Sequence, residues 1–188
     1  MSSPSDTLAV ENVVASTSIG QELDLETLAD DLPTTEYAPD HFPGLVYRTQ
    51  NPQAAALIFR SGKVVCTGAQ SATAVENALE IFFQELRHLG IHVDESPEFT
   101  IENMVTSGDL DERLNLNAIA IGLGLANIEY EPEQFPGLVY RLDDPPVVVL
   151  LFGSGKLVIT GAQTVEDAET ALGTVQSRLK NLDLLQQR

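Results

Sequence analysis

The chain has 188 residues, 43% of them hydrophobic, which is enough to bury a core in one large domain or two small ones and excludes a disordered chain. Twenty-eight Asp and Glu against ten Lys and Arg give a formal net charge of -18, and Lys63, Lys156 and Lys180 are the only lysines. Taken alone, that balance argues against nucleic-acid or anionic-membrane binding. The longest apolar run, Val147 to Phe152, is too short to span a bilayer, and the MSSPSDT start has neither a basic nor an apolar stretch. A soluble, cytoplasmic protein is expected. The single cysteine, Cys66, lies in an apolar run and reads as a buried core thiol.

Compared with itself, the chain repeats. Residues 42–70 and 135–163 match at 18 of 29 positions without a gap, through FPGLVYR, SGK and TGAQ at an offset of 93. Upstream the register is 91, pairing Glu11-Asn12 with Glu102-Asn103. Two copies are expected, residues 1–95 and 96–188, joined near 91–99. In the first copy Val10 to Ser18 is β-rich, and Asp24 is placed to cap a short helix that ends before Pro33. Leu45–Thr49, Ala54–Phe59 and Val64–Thr67 read as strands, the last two joined by a Ser61-Gly62-Lys63 turn. Across Ala74–Leu89 the apolar residues fall on one helical stripe. The second copy repeats the order, with strands at 101–107, 138–142, 147–152 and 157–160 and helices near 115–122 and 165–181. The class is α+β with an antiparallel sheet.

Side chains alternate faces along a strand. Val13, Ala15, Leu45, Tyr47, Ala56, Ile58, Val64 and Cys66 form one set, suited to packing under the helices. The opposite set, Asn12, Val14, Val46, Arg48, Leu57, Phe59, Val65 and Thr67, is almost as apolar, and so is its copy-matched counterpart. A sheet with helices on one side ordinarily has a polar second face, so this one calls for a partner to cover it. Charge is segregated to suit: residues 42–70 carry +3 and residues 135–163 carry 0, leaving -21 on the rest of the chain. The acid is kept off the hairpins, as an anionic ligand there would require.

The duplicated Asn-x-Val, Phe-Pro-Gly-Leu-Val-Tyr-Arg, Leu-x-Phe-x-Ser-Gly-Lys and Val-x-Thr-Gly-Ala-Gln series resembles the core of the TATA-box-binding proteins in their archaeal form, over about residues 8–185. The resemblance implies a saddle. Its two pseudo-twofold repeats would make a ten-stranded antiparallel sheet, with helices on the convex face and a concave underside lying in the DNA minor groove. It implies that Phe42 with Phe59, and Phe135 with Phe152, are wedges between base steps. Asn12 and Asn103 would donate at the site centre beside Thr67 and Thr160. Val14, Val65, Leu57 and their counterparts Val105, Val158 and Leu150 would line the groove floor, where the absence of a guanine amino group favours A·T pairs. Arg48, Arg141, Lys63, Lys156, Ser61 and Ser154 would hold phosphates.

What the resemblance implies for function is a general transcription-initiation factor that binds and bends TATA-box DNA without catalysis or cofactor. Its partners would be transcription factor B, through Glu131, Glu133 and Gln134, and RNA polymerase. The chain departs from the family pattern in charge: Asp40 and His41 precede the first wedge, and the long helices carry Glu76, Glu80, Glu85, Glu166, Asp167 and Glu169. Dense acid with scarce lysine looks like adaptation to molar salt. Enzymatic motifs fail. Gly153-Ser154-Gly155-Lys156 lacks a phosphate loop's spacer, Gly122-Leu123-Gly124 lacks the third glycine of a dinucleotide fingerprint, and His88 and His92 have no companion ligands. A weak homodimer through the concave face is a further expected partner, and the rival reading is a saddle-fold protein-interaction or dimerisation module that binds no DNA.

Overall fold

The computed structural model describes residues 8–186; the MSSPSDT start lies outside them. Its elements in chain order are β1 (Ala9–Ser18), α1 (Leu25–Asp31), β2 (Thr35–Glu36), β3 (Leu45–Gln50), β4 (Gln53–Ile58), β5 (Lys63–Ala69) and α2 (Ala72–His88), then β6 (Thr100–Asp109), α3 (Leu116–Leu123), β7 (Ile128–Glu129), β8 (Leu138–Arg141), β9 (Val148–Leu151), β10 (Lys156–Ala162) and α4 (Val165–Asn181). Ten strands form one sheet in the order β2-β3-β4-β5-β1-β6-β10-β9-β8-β7. Asn12–Glu102 makes one compact unit, and residues 103–186, with residues 8–11, make the other.

Periodicity predicts four strands per copy, whereas each copy has five, the ten of the resemblance. The added strands, β2 and β7, are two residues long and pair with β3 and β8. Two residues are too few to show an alternation, and only the neighbouring strand makes them a strand.

All four helices begin on a side-chain cap: Asp24, Ser71, Asn115 and Thr164 accept the backbone N–H groups of Thr27, Ala74, Ala118 and Asp167 at 3.0–3.2 Å. The Thr27 N–H, donating to Asp24, holds that carboxyl below its ordinary range. In the first unit α2 buries Val75, Ala78, Leu79, Phe82, Phe83 and Leu86 against the face of Leu45, Tyr47, Ile58, Val64 and Cys66. Tyr47 and Phe82 meet there with ring centroids 5.3 Å apart. In the second unit α4 buries Ala168, Ala171, Leu172, Val175 and Leu179 in a core with Leu138, Val149, Leu151, Leu157 and Ile159. Each buried Val, Leu, Ile or Phe among them contributes about 1.5–3 kcal/mol, and each alanine less. Every strand of this set is thereby held by its helix side, leaving the other side to be explained.

Candidate nucleic-acid interface

The strands alternate as period two demands. Along β3, β5 and β10, buried residues alternate with half-buried or exposed ones, and the half-exposed side is apolar. Val14, Val46, Leu57 and Val65 in the first unit are partly exposed and apolar, as are Val105, Val139, Leu150 and Val158 in the second. Val46 is registered against Leu57 and Leu57 against Val65, which makes a continuous apolar strip; Val139, Leu150 and Val158 repeat it.

The Asn and Thr residues come together across a bulge. The register of β1 with β5 shifts between Val13 and Ala15, and Gly68 takes a φ of +87° there; Gly161 does the same at +96° in β10. Each bulged glycine N–H donates to the asparagine Oδ1, Gly68 to Asn12 at 2.7 Å and Gly161 to Asn103 at 2.6 Å. The amide is therefore fixed in orientation. Its Nδ2 donates to Thr67 Oγ1, or Thr160 Oγ1 in the other unit, at 3.3 Å. One amide hydrogen and the threonine hydroxyl hydrogen remain free on each unit, so both polar groups present donors. Those are the groups that acceptor atoms on a ligand require.

Phe42 and Phe59 pack edge to face with centroids 5.8 Å apart, and Phe135 and Phe152 do so at 5.9 Å. Phe42 and Phe135 are 36% and 40% exposed, far more than a core phenylalanine. The rings close over the glycine of the Phe-Pro-Gly motif. A Cβ on Gly44 would lie 2.7 Å from the Phe42 ring, and one on Gly137 would lie 2.6 Å from Phe135. These two glycines hold the aromatic pairs and belong to the site, and their repetition in both copies was the signal available in the sequence.

Ser61 and Lys63, like Ser154 and Lys156, are exposed on the β4–β5 and β9–β10 turns. Each serine Oγ accepts from the lysine N–H two residues on, at 3.4 and 3.3 Å. Arg48 and Arg141 are exposed near the ends of β3 and β8, but Arg141 lies 3.5 Å from Glu129, a partner that sequence reasoning missed. Two more missed acids stand by the same face: Ser16, registered against Val65, donates to Glu102, and Ser107, registered against Val158, donates to Glu11 at 2.6 Å. Glu131, Glu133 and Gln134 are all exposed, in a turn closed by Gln134 N–H and Phe135 N–H to the Glu131 carbonyl at 2.9 Å. The turn sits immediately before the aromatic pair rather than among the apolar strip.

A family model described as transcription factor TFIID (or TATA-binding protein, TBP) matches residues 7–89 and 98–182. The chain belongs to the TATA-binding protein family. This is a family of transcription factors rather than of enzymes. "TATA-box-binding protein 2" of Haloferax volcanii is 64% identical over 98% of this chain and all of its own. The TATA-box-binding protein of Natronomonas pharaonis is 65% identical over 98% of this chain and 99% of its own. The structure of the Methanococcus jannaschii TBP superposes with a TM-score of 0.84 at 52% identity, over 93% of this chain and 99% of that one. Among the described residues no helix is long and apolar enough to cross a membrane.

Proposed function

We propose that this chain is a general transcription-initiation factor that applies the helix-free face of both units to the minor groove of TATA-box promoter DNA, bends the duplex, and then carries transcription factor B and RNA polymerase. The observation behind this reading is a strip of partly exposed Val and Leu whose only central polar groups are oriented donors. The minor-groove edge of an A·T pair offers only acceptors, adenine N3 and thymine O2, whereas a G·C pair adds an amino donor. Asn12, Thr67, Asn103 and Thr160 match the first and would clash with the second. The exposed, edge-to-face Phe pairs support a role as wedges between base steps; wedging the minor groove is the behaviour for which this family is itself an example. Lys63, Lys156, Ser61, Ser154, Arg48 and Arg141 would reach phosphates, and the exposed Glu131, Glu133 and Gln134 would meet transcription factor B. A soluble, cytoplasmic, nucleoid-associated protein follows from that role.

The test is Phe135→Ala with Phe152→Ala, read by energy transfer across an end-labelled TATA duplex. The bend is expected to be lost while thermal unfolding stays cooperative, because Phe135 is 40% exposed and carries little of the core. An unchanged bend would overturn the wedge assignment. A wild-type chain that binds no TATA duplex between about 0.3 and 2 M potassium chloride, a range in which surface charges are strongly screened, would overturn the function.

A further inference from the structure

The two units differ in charge at their short helices. Residues 23–35 of the first copy hold Asp24, Glu26, Asp30 and Asp31, whereas the matched residues 114–128 hold no charge. The caps fix the match, Asp24 to Asn115, which sets Asn117, Ile121 and Gly122 against Glu26, Asp30 and Asp31. The connection that follows is longer as well: two residues separate Leu32 from Thr35, and four, Leu125 among them, separate Leu123 from Ile128. Ile121 and Leu125 are 83% and 82% exposed, and no other large apolar side chain among the described residues exceeds 40%. Single apolar residues scattered over a surface need no explanation, but a contiguous group marks a contact. A Cβ on Gly122 would lie 2.9 Å from Leu182 Cδ1, so the exposed Leu182 joins Ile121 in one patch. The patch is on the outer side of α3, whose inner side buries Leu116, Ile119 and Ala120.

We infer that α3 pairs two copies of this chain through Ile121, Leu125 and Leu182, in a weak dimer favoured by high salt. Charge selects the occupant. A basic partner is drawn to acid and an anionic one to cations. The patch offers neither, and the charges that flank it along the chain, Arg113 with Glu129 and Lys180 with Asp183, cancel. A second copy brings the same neutral, apolar surface, and a twofold axis sets each patch against itself. Two chains of net charge -18 repel one another over their acidic surfaces, and a pair built on α1 would oppose four acids to four. Screening to about 3 Å near 1 M salt removes the long-range part of that repulsion and leaves the apolar contact. A few side chains fall short of the roughly 1,200–2,000 Å² that a stable complex buries, so the pair is weak and reversible. Because α3 and α4 share one core on the helix side of the sheet, pairing leaves the helix-free face of that unit open. It requires no DNA.

Sedimentation equilibrium of the full chain, without DNA, at about 0.3 and 2 M potassium chloride reads the pairing across a range of screening. A monomer–dimer equilibrium is expected that tightens at the higher salt. Ile121→Asp puts on α3 the residue type that the first copy has as Asp30. Combined with Leu125→Asp, it should weaken the dimer by about tenfold or more at the higher salt, the effect of opposing like charges at an interface. Both side chains are mostly exposed, so the variant should still unfold cooperatively. A second measurement does not depend on how that variant folds. Ala126→Cys, exposed beside Leu125, should be coupled between two copies by a short bismaleimide at the higher salt, whereas Ser61→Cys on the β4–β5 turn should not; the buried Cys66 stays unlabelled. A chain that remains monomeric at both salts, or a dimer that the two aspartates leave unchanged, would overturn the inference. So would Ala126→Cys that fails to couple, or that couples no better than Ser61→Cys. Binding to TATA DNA is tested separately and decides none of these outcomes.

Discussion

Thr106, fully buried on β6, has a hydroxyl with no hydrogen-bond partner among the described residues. The position matched to it in the first copy is Ala15, also fully buried. An orphaned hydroxyl costs about 1–3 kcal/mol of desolvation, so the isosteric Thr106→Val should stabilise the chain. A gain of about 1 kcal/mol, or roughly 2–4 °C in Tm for a chain of this size, is expected in thermal unfolding at fixed salt. No gain, or a loss, would show that the hydroxyl is satisfied in solution. Cys66, 1% exposed, has the opposite lesson: burial pushes its thiol up from an ordinary 9.0 to about 11. The folded state keeps a proton that the unfolded chain gives up, so stability is full below about pH 9 and declines as pH rises toward 11. Tyr47, raised first by burial and then by Glu85, adds the same sign at higher pH. Cys66→Val should therefore flatten denaturant midpoints between pH 9 and 11, the interval of the thiol's shift; an unchanged slope would place the loss elsewhere.

At the scale of an element, the turns before the two aromatic pairs share a backbone and differ in chemistry. Ala38 accepts from the His41 and Phe42 N–H groups as Glu131 accepts from those of Gln134 and Phe135. The first copy has Ala38 where the second has Glu131, so only the second turn presents two glutamates and a glutamine. If that turn is the contact for transcription factor B, Glu131→Arg with Glu133→Arg should weaken the ternary complex by about tenfold or more, the effect of opposing like charges at an interface. TATA binding should survive, and a supershift assay reads both. A normal supershift would mean the contact lies elsewhere. The turn's position was visible from sequence; its closure by paired N–H groups was not, because such bonds depend on backbone angles rather than residue type.

For the molecule as a whole, charge decides how it would meet DNA. Arg48, Arg60, Lys63, Arg141 and Lys156 are the basic groups of the hairpins, which limits counterion release to a salt slope of roughly -4 to -5. Against them stand Asp40, Glu131, Glu133, Asp143 and Asp144, and the structure adds Glu11 and Glu102 beside the apolar strip and Glu129 on Arg141. TATA affinity should therefore stay flat or rise between about 0.3 and 2 M potassium chloride, as screening closes to about 3 Å. Anisotropy titrations across that range check it, and a steep monotonic loss would mean that the acids do not touch binding. Glu11→Gln with Glu102→Gln should lower the salt at which binding begins more than Glu80→Gln with Glu169→Gln on the long helices.

Repetition and period-two alternation are properties of the chain itself. They determined the duplication, four strands and two helices per copy, and which residues share the face away from the helices, because side-chain direction along a strand follows from backbone geometry alone. The family, too, was legible in its paired motifs. The tertiary structure alone decided contacts made by residues far apart in sequence. The bulge brings the Gly68 N–H to Asn12 and fixes its amide, and the Phe42 and Phe59 rings meet over Gly44. Glu129 reaches Arg141. Each depends on strand register, which is set by pairing between strands and is carried by neither strand alone.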